Sequence, residues 1–379
     1  MRATATTTLA DVCESVRYGY TASATEDAIG PRFLRITDIV PDSLDWESVP
    51  YCEIDDEDRE RFSVAPGDIV VARTGATVGY AKLIREPVDA VFASYLVRFR
   101  VDPAKAEPTY VGRLVESNVY KAFIQSRIGG AAQPNASAPV LGGFEFVLPC
   151  RHSQSRIAGI LSAYDDLIEN NRRRIVLLEN AARQLYREWF VRLRFPGHEH
   201  TRITNGVPEG WERAPFESAL VLQRGFDLPV QDREEGDVPI YGSTGINGFH
   251  SKAKVAGPGV VTGRSGTLGE VHYITGEYWP LNTALWVKEF RRVTPLFALF
   301  LMREMDLNQY NGGVSVPTLD RKTVHRAEIL IPSRGLSTSF DEFAESAFQQ
   351  VNTLAAQVER LRAARDLLLP RLMSGKIAV

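Results

Sequence analysis

The residues best suited to chemistry stand in two short glycine-rich loops, Arg73-Thr74-Gly75-Ala76-Thr77 and Arg264-Ser265-Gly266-Thr267. Each sets a guanidinium and hydroxyls beside glycine. A guanidinium offers a planar fork of donors for phosphate or for a guanine edge, and glycine lets a backbone approach a partner closely. The neighbouring segments SRIGGAAQPN (126–135) and YGSTGINGFHSKAK (241–254) add Arg127 and Asn135 on one side, and Tyr241, Ser243, Asn247 and Lys252 on the other. Donors of this kind suit phosphate oxygens and base edges, with asparagine the usual partner of adenine. Hairpin turns demand the same glycines and asparagines. Because the pattern occurs twice, a shared binding role is the better reading.

Signatures of catalysis are missing. The chain has no GxxxxGK[ST] phosphate loop and no HExxH. GRSGTLG (263–269) does not fit GxGxxG and opens no helical pattern. The Asn-Pro-Pro-Tyr motif of adenine methyltransferases is also absent, so no site for flipping and methylating a base is expected. Asp320-x-Lys322, with Asp306 upstream, is the nearest approach to a nuclease, but two lone acids make a poor metal site. His198 and His200 share a polar segment and read as solvated. Cys13, Cys52 and Cys150 are odd in number and lack CxxC spacing, which supports neither disulfides nor zinc. The reading is a non-catalytic chain that holds no metal.

The elements that position the loops follow from an internal repeat. GGAAQPNASAPVLGGFEFVLP (129–149) aligns without a gap on GGVSVPTLDRKTVHRAEILIP (312–332), an offset of 183 residues. RTGATVG and RSGTLG each follow an apolar strand-like run, DIVVA or GVVTG, and lead to another, VFASYLVRFRV or TALWVKEF. The offset continues downstream. Ile157, Ile160, Tyr164, Ile168, Ile175, Leu178 and Leu185 match Phe340, Phe343, Ala347, Val351, Val358, Leu361 and Leu368, with Asn171 and Leu354 filling one step. Steps of three and four residues give a period near 3.5, the signature of a coiled coil. Two helices of roughly 35–40 residues are expected, ~50–60 Å long at 1.5 Å per residue. Neither can bury its stripe alone, and the chain must return before the second begins, so an antiparallel pair is the easiest arrangement.

At 379 residues, 44% hydrophobic and 24% charged, the chain is globular and too long for one ordinary domain. The expected order is a β-rich unit (1–150), a helix (151–195), a linker (196–206), a second β-rich unit (207–335) and a second helix (336–379). The fold class is α+β, with a pseudo-two-fold relation between the repeats. The net charge of −3 hides an acidic first unit, 15 basic against 21 acidic side chains in residues 1–150, including the run Asp55–Asp58 and Glu60. Bulk charge therefore gives nucleic acid no support. The 36 arginines against 8 lysines fit a GC-rich genome as well as DNA contact. No run approaches the ~18 apolar residues of a membrane span, and the N-terminus lacks a signal-peptide stretch, so a cytoplasmic location is expected.

The layout resembles the specificity subunit of type I restriction–modification enzymes. The likeness is carried by SQSRIAGILSAYDDLIENNRRRIVLLENAARQLYREWF (153–190), by AAQVERLRAARDLLLPRLMSGKI near the end, and by FLRITDI, ARTGATVGYAKL, IYGSTGINGFHSK and GRSGTLGEVHYITGEYWPLNTALWV. It covers essentially the whole chain. The resemblance implies two target-recognition domains, each reading half of a split, asymmetric site in double-stranded DNA, with the paired helices as a spacer. It also implies partners. Two modification subunits would bring S-adenosylmethionine and adenine methylation, and restriction subunits would bring ATP, magnesium and cleavage, all in phage defence. Arg73, Thr74, Thr77, Arg127 and Asn135 are the candidate DNA contacts of the first domain. Those of the second are Tyr241, Ser243, Asn247, Lys252, Arg264, Ser265 and Thr267. The charge deficit suggests that the partners supply much of the phosphate grip. The alternatives are a nuclease centred on Asp320 and Lys322, a coiled-coil adaptor without DNA readout, and a specificity chain serving another defence system.

Overall fold

The computed structural model describes residues 5–41, 44–128, 134–313, 315–373, 376 and 377. The chain divides into two compact units, residues 1–169 with 358–379, and residues 170–357. Each unit is thus completed by half of each long helix.

The first unit is built on a four-stranded antiparallel sheet in the order Cys13–Tyr18, Leu96–Val101, Asp68–Ala72, Ala81–Leu83. The strand Asp68–Ala72 is buried along its whole length, as an apolar run without alternation requires. A second antiparallel pair joins Ala5–Thr8 to Glu145–Leu148. The helices Pro108–Glu116 and Asn118–Arg127 follow, with Ser117 capping the second through its side chain. Ile69, Phe99, Tyr110 and Tyr120 share their core with Ile157, Leu161 and Leu372 of the long helices.

The second unit repeats the plan. Its sheet runs Leu220–Arg224, Ala284–Phe290, Gly259–Gly263, Val271–Ile274, again antiparallel throughout, and Glu212–Pro215 pairs with Glu328–Ile331. The core here is aromatic. Tyr186 is buried within 5.0–5.8 Å of Phe190, Phe297, Phe300 and Phe340, measured between ring centroids.

The long helices span Arg151–Tyr186 and Arg334–Met373. They run antiparallel, since Asp165 meets Arg365 in the first unit and Asn171 meets Gln357 in the second. On the second helix burial falls on Phe340, Ala344, Ala347, Val351, Leu354 and Val358, steps of four and three that keep the heptad. Leu361 and Leu368 are half-buried. Phe343 is a correction, 43% exposed while Ala344 beside it is fully covered. The face that packs carries alanine there, which lets backbones approach, and the larger side chain points away. On the first helix Ile157 and Ile168 are buried, while Ile160, Tyr164, Ile175, Leu178 and Leu185 are half-buried. Leu161, Asp165, Ala182 and Tyr186 are the more deeply covered neighbours.

Asp165 is a polar member of this buried face. Its carboxylate pairs with Arg85 at 2.8 Å, Arg365 at 2.7 Å and Arg113, and Arg113 in turn reaches Glu116 at 2.7 Å. The cluster ties both helix halves to the globular part of the first unit. The residue 183 positions later is Phe348, which meets Tyr273 and Phe300 edge-on in the second unit. Arg183 and Arg187 both reach Glu304, fixing the first helix to the helix Pro295–Glu304.

Candidate nucleic-acid interface

Both glycine loops leave the third strand of their sheet and return in the fourth. Their backbones are held alike. In the first unit Arg73 N donates to Tyr95 O at 3.0 Å, Ala136 N donates to Arg73 O at 2.8 Å, and Gly75 N donates to Pro134 O at 2.9 Å. In the second, Arg264 N donates to Thr283 O at 2.8 Å, Leu319 N to Arg264 O at 2.8 Å, and Gly266 N to Pro317 O at 2.9 Å. Pro134 and Ala136 lie 183 residues before Pro317 and Leu319, so the repeat seen in sequence reappears hydrogen bond by hydrogen bond. Gly75 and Gly266 have φ of +77° and +92°, which a side chain would strain even where space is free.

The strand beneath is matched as well. Tyr18 pairs with Val97 and Arg224 with Leu285. Each is followed by a glycine, Gly19 or Gly225, where a Cβ would come within 2.3 Å of a carbonyl oxygen. Tyr18 and Arg224 are therefore equivalent positions carrying different chemistry. In the first unit the Arg73 guanidinium lies over the Tyr18 ring, 4.6 Å from its centroid, with Nη2 3.4 Å from Asn135 Oδ1. The Tyr18 hydroxyl accepts from Ala138 N at 2.9 Å. In the second unit a groove of about 460 Å³ is lined by Arg224, Arg264, Thr318, Asp320, Arg321 and Lys322. One donor of Arg264 is spent on the Asn282 carbonyl at 3.2 Å.

Residues 3–180 match the family model described as the type I restriction modification DNA specificity domain. The match places a type I DNA specificity domain in the first half of the chain. Over 83% of its length it is 22% identical to the type I restriction enzyme MjaIX specificity subunit of Methanocaldococcus jannaschii, of which it covers 79%. Over 54% of its length it is 26% identical to the putative MjaX specificity subunit of the same organism, covering 49% of that protein. The type I restriction–modification S subunit of M. genitalium shares the fold, with a TM-score of 0.58 at 17% identity over 97% of this chain and 96% of that one.

The structure gathers some of the sequence-derived candidates and separates others. Arg73, Thr74 and Asn135 come together, with Thr74 bridged to Asn135 through the backbone. Thr77 lies half-buried in the same loop. Arg127 ends its own helix and covers Phe123, 5.1 Å from the ring centroid. In the second unit Ser265 is bridged to Thr318. A Cβ on Gly266 would lie 3.8 Å from Ser243 Oγ, so Ser243 flanks that loop. Thr267 is exposed at its tip. Tyr241 is half-buried between the rings of His272 and Tyr278, and burial pushes its phenol above its ordinary pKa. Asn247 and Lys252 are engaged by the segment that precedes their hairpin. Arg233 donates to Asn247 O at 2.7 Å and to its Oδ1 at 3.1 Å. Lys252 pairs with Glu234 at 3.1 Å, and hydrogen bonds from Ser251 and Lys252 hold Glu234 below its ordinary pKa.

Asp320, the acid of the nuclease alternative, caps the short helix Arg321–Arg326. It accepts from Thr323 Oγ1 at 2.5 Å and from Lys322 N at 3.0 Å, and these bonds lower its pKa. A carboxylate so placed is committed to its own backbone. Among the described residues no three His, Cys, Asp or Glu side chains group as a metal site, and no helix is long and apolar enough to cross a membrane. Tyr18, Arg224 and Arg321 went unnoticed in the sequence. The offset of 183 was the signal for Arg321, because it sets Arg321-Lys322 against Ala138-Pro139.

Proposed function

We propose that this chain reads a split, asymmetric site in double-stranded DNA, one half with each unit, and scaffolds the modification and restriction subunits of a type I complex. The observation that carries the reading is the pair of loops held by matching backbone hydrogen bonds yet lined by different side chains. An identical frame with diverged contacts is what two readers of two different half-sites require. The chain supplies discrimination and no catalytic group. Adenine methylation, with S-adenosylmethionine, belongs to two modification subunits, and ATP-driven translocation with magnesium-dependent cleavage belongs to restriction subunits. The antiparallel helices serve as the spacer between half-sites, and the complex works in the cytoplasm as a defence against phage.

The test is methylation mapping. The chain is expressed with the adenine methyltransferase encoded beside it, and modified adenines are located genome-wide. The expected result is one split motif, of which only one half changes when residues 207–335 are exchanged for those of another specificity subunit. Methylation that is absent, or indifferent to removal of this chain, would overturn the reading and favour an adaptor.

A further inference from the structure

Resting on that DNA reading, we propose that the two units grip the DNA backbone unequally. The groove of the second unit holds phosphates through Arg224, Arg321 and Lys322, and the equivalent surface of the first unit has no such grip.

Position-by-position equivalence carries the inference. Tyr18 stands where Arg224 stands, by strand register and by the glycine that follows each. The helices Ala138–Gly142 and Arg321–Arg326 begin 183 residues apart, so Ala138 and Pro139 occupy the places of Arg321 and Lys322. Ser137 likewise stands where Asp320 does. At these four equivalent positions the second unit sets four cations and the first sets one, Arg73.

The cations of the second unit are available to a ligand. Arg321 and Lys322 are exposed, Arg321 with one donor on Leu222 O at 3.5 Å, and the Arg224 side chain is 52% exposed. Two carboxylates are near. Asp320 is spent on its helix cap, and Asp227 lies 3.6 Å from Arg224 while also accepting from Asn282. The groove keeps a positive surplus. Arg73, by contrast, lies over the Tyr18 ring with its Nη2 toward Asn135 Oδ1. A guanidinium held over a ring and hydrogen-bonded presents a fixed fork suited to one base edge and contributes little as a mobile counterion to phosphate. The net acidity of residues 1–150 weakens it further.

Salt separates the two modes, because each phosphate contact adds about 0.9 to the slope of log K against log salt. The experiment uses the full chain assembled with its methyltransferase, and duplexes carrying the mapped motif. Affinity is measured between about 50 and 200 mM salt. The double variant Arg321→Gln, Lys322→Gln should lower the slope by about 1.8, so that the loss of affinity over that fourfold salt range is about tenfold smaller. The bases preferred should stay the same. In the opposite direction, Ala138→Arg with Pro139→Lys should raise the slope by a similar amount.

An unchanged slope in the glutamine variant would overturn the proposal. So would altered base preference in the second half alone, which would make these residues readers, or failure of the complex to assemble, which would make the groove a protein contact. Selective binding with an unchanged slope removes only this inference. Absence of selective binding by the unaltered complex removes the DNA reading with it.

Discussion

Arg73 rests on the Tyr18 ring, 4.6 Å from its centroid, whereas Arg264 spends one donor on Asn282 O and faces a groove of further cations. If Arg73 reads a base, Arg73→Lys keeps the charge and loses the planar fork. It should cost ~1–3 kcal/mol of discrimination at one position of one half-site, visible as a relaxed methylation motif. Tyr18→Ala removes the platform together with the hydroxyl that accepts from Ala138 N, and should cost ~0.5–1 kcal/mol at that same position. If Tyr18→Ala leaves the motif intact, the stacking is structural. A second residue-scale expectation concerns acid. His325 Nε2 accepts the Leu222 N–H at 3.0 Å, so its imidazole is neutral there, and burial holds its pKa below the ordinary value against the pull of Glu217. His272 is lowered by burial in the same way. Since the unfolded chain binds protons that the folded one refuses, stability should be full above the usual histidine pKa of about 6.5. It should fall as pH drops below that value. Melting temperatures measured from about pH 7.5 to 5.5 should decline, and His325→Gln should flatten part of that slope.

The long helices show how much of an element can be read from its residues. Their existence, length and pairing direction follow from a sustained three-four pattern and from the need to bury it. The covered face was harder to place. Phe343 attracted the seam because it is large and apolar, yet Ala344 packs and Phe343 is 43% exposed, since close approach of two helices favours the smaller side chain. Asp165 was invisible for a related reason. A carboxylate inside a helical stripe looks like a solvated position, and its partners Arg85, Arg113 and Arg365 come from three distant stretches of chain. The loops repeat that lesson. The duplication marked Arg73 and Arg264, but Tyr18 and Arg224 meet them only through the sheet. Asp165→Ala leaves buried Arg113 with Glu116 alone and should cost ~3 kcal/mol in denaturant unfolding, the low end for a broken buried pair. Phe348→Ala, at the matching place in the second unit, should cost a similar amount by leaving a cavity among Tyr273 and Phe300.

For the whole molecule, the spacer reading makes a geometric prediction. Seven residues inserted after Asn170 and seven after Gln357 keep the heptad in both helices and lengthen each by ~10 Å. At ~3.4 Å per base pair, the gap in the methylated motif should widen by about three pairs while the bases read stay the same. An unaltered gap would mean that the helices do not set the spacing. The division of the chain into units bears on how the protein is made. Residues 170–357 are continuous in sequence, whereas the unit that begins the chain needs residues 358–379 to complete it. Ile157 and Leu161 wait for Leu372, and Asp165 waits for Arg365. On the ribosome the part translated first is therefore the last to close, and its unfinished core stays open while some two hundred further residues are added. A stop codon placed at residue 358 would leave the residues of the second unit whole and remove part of the first.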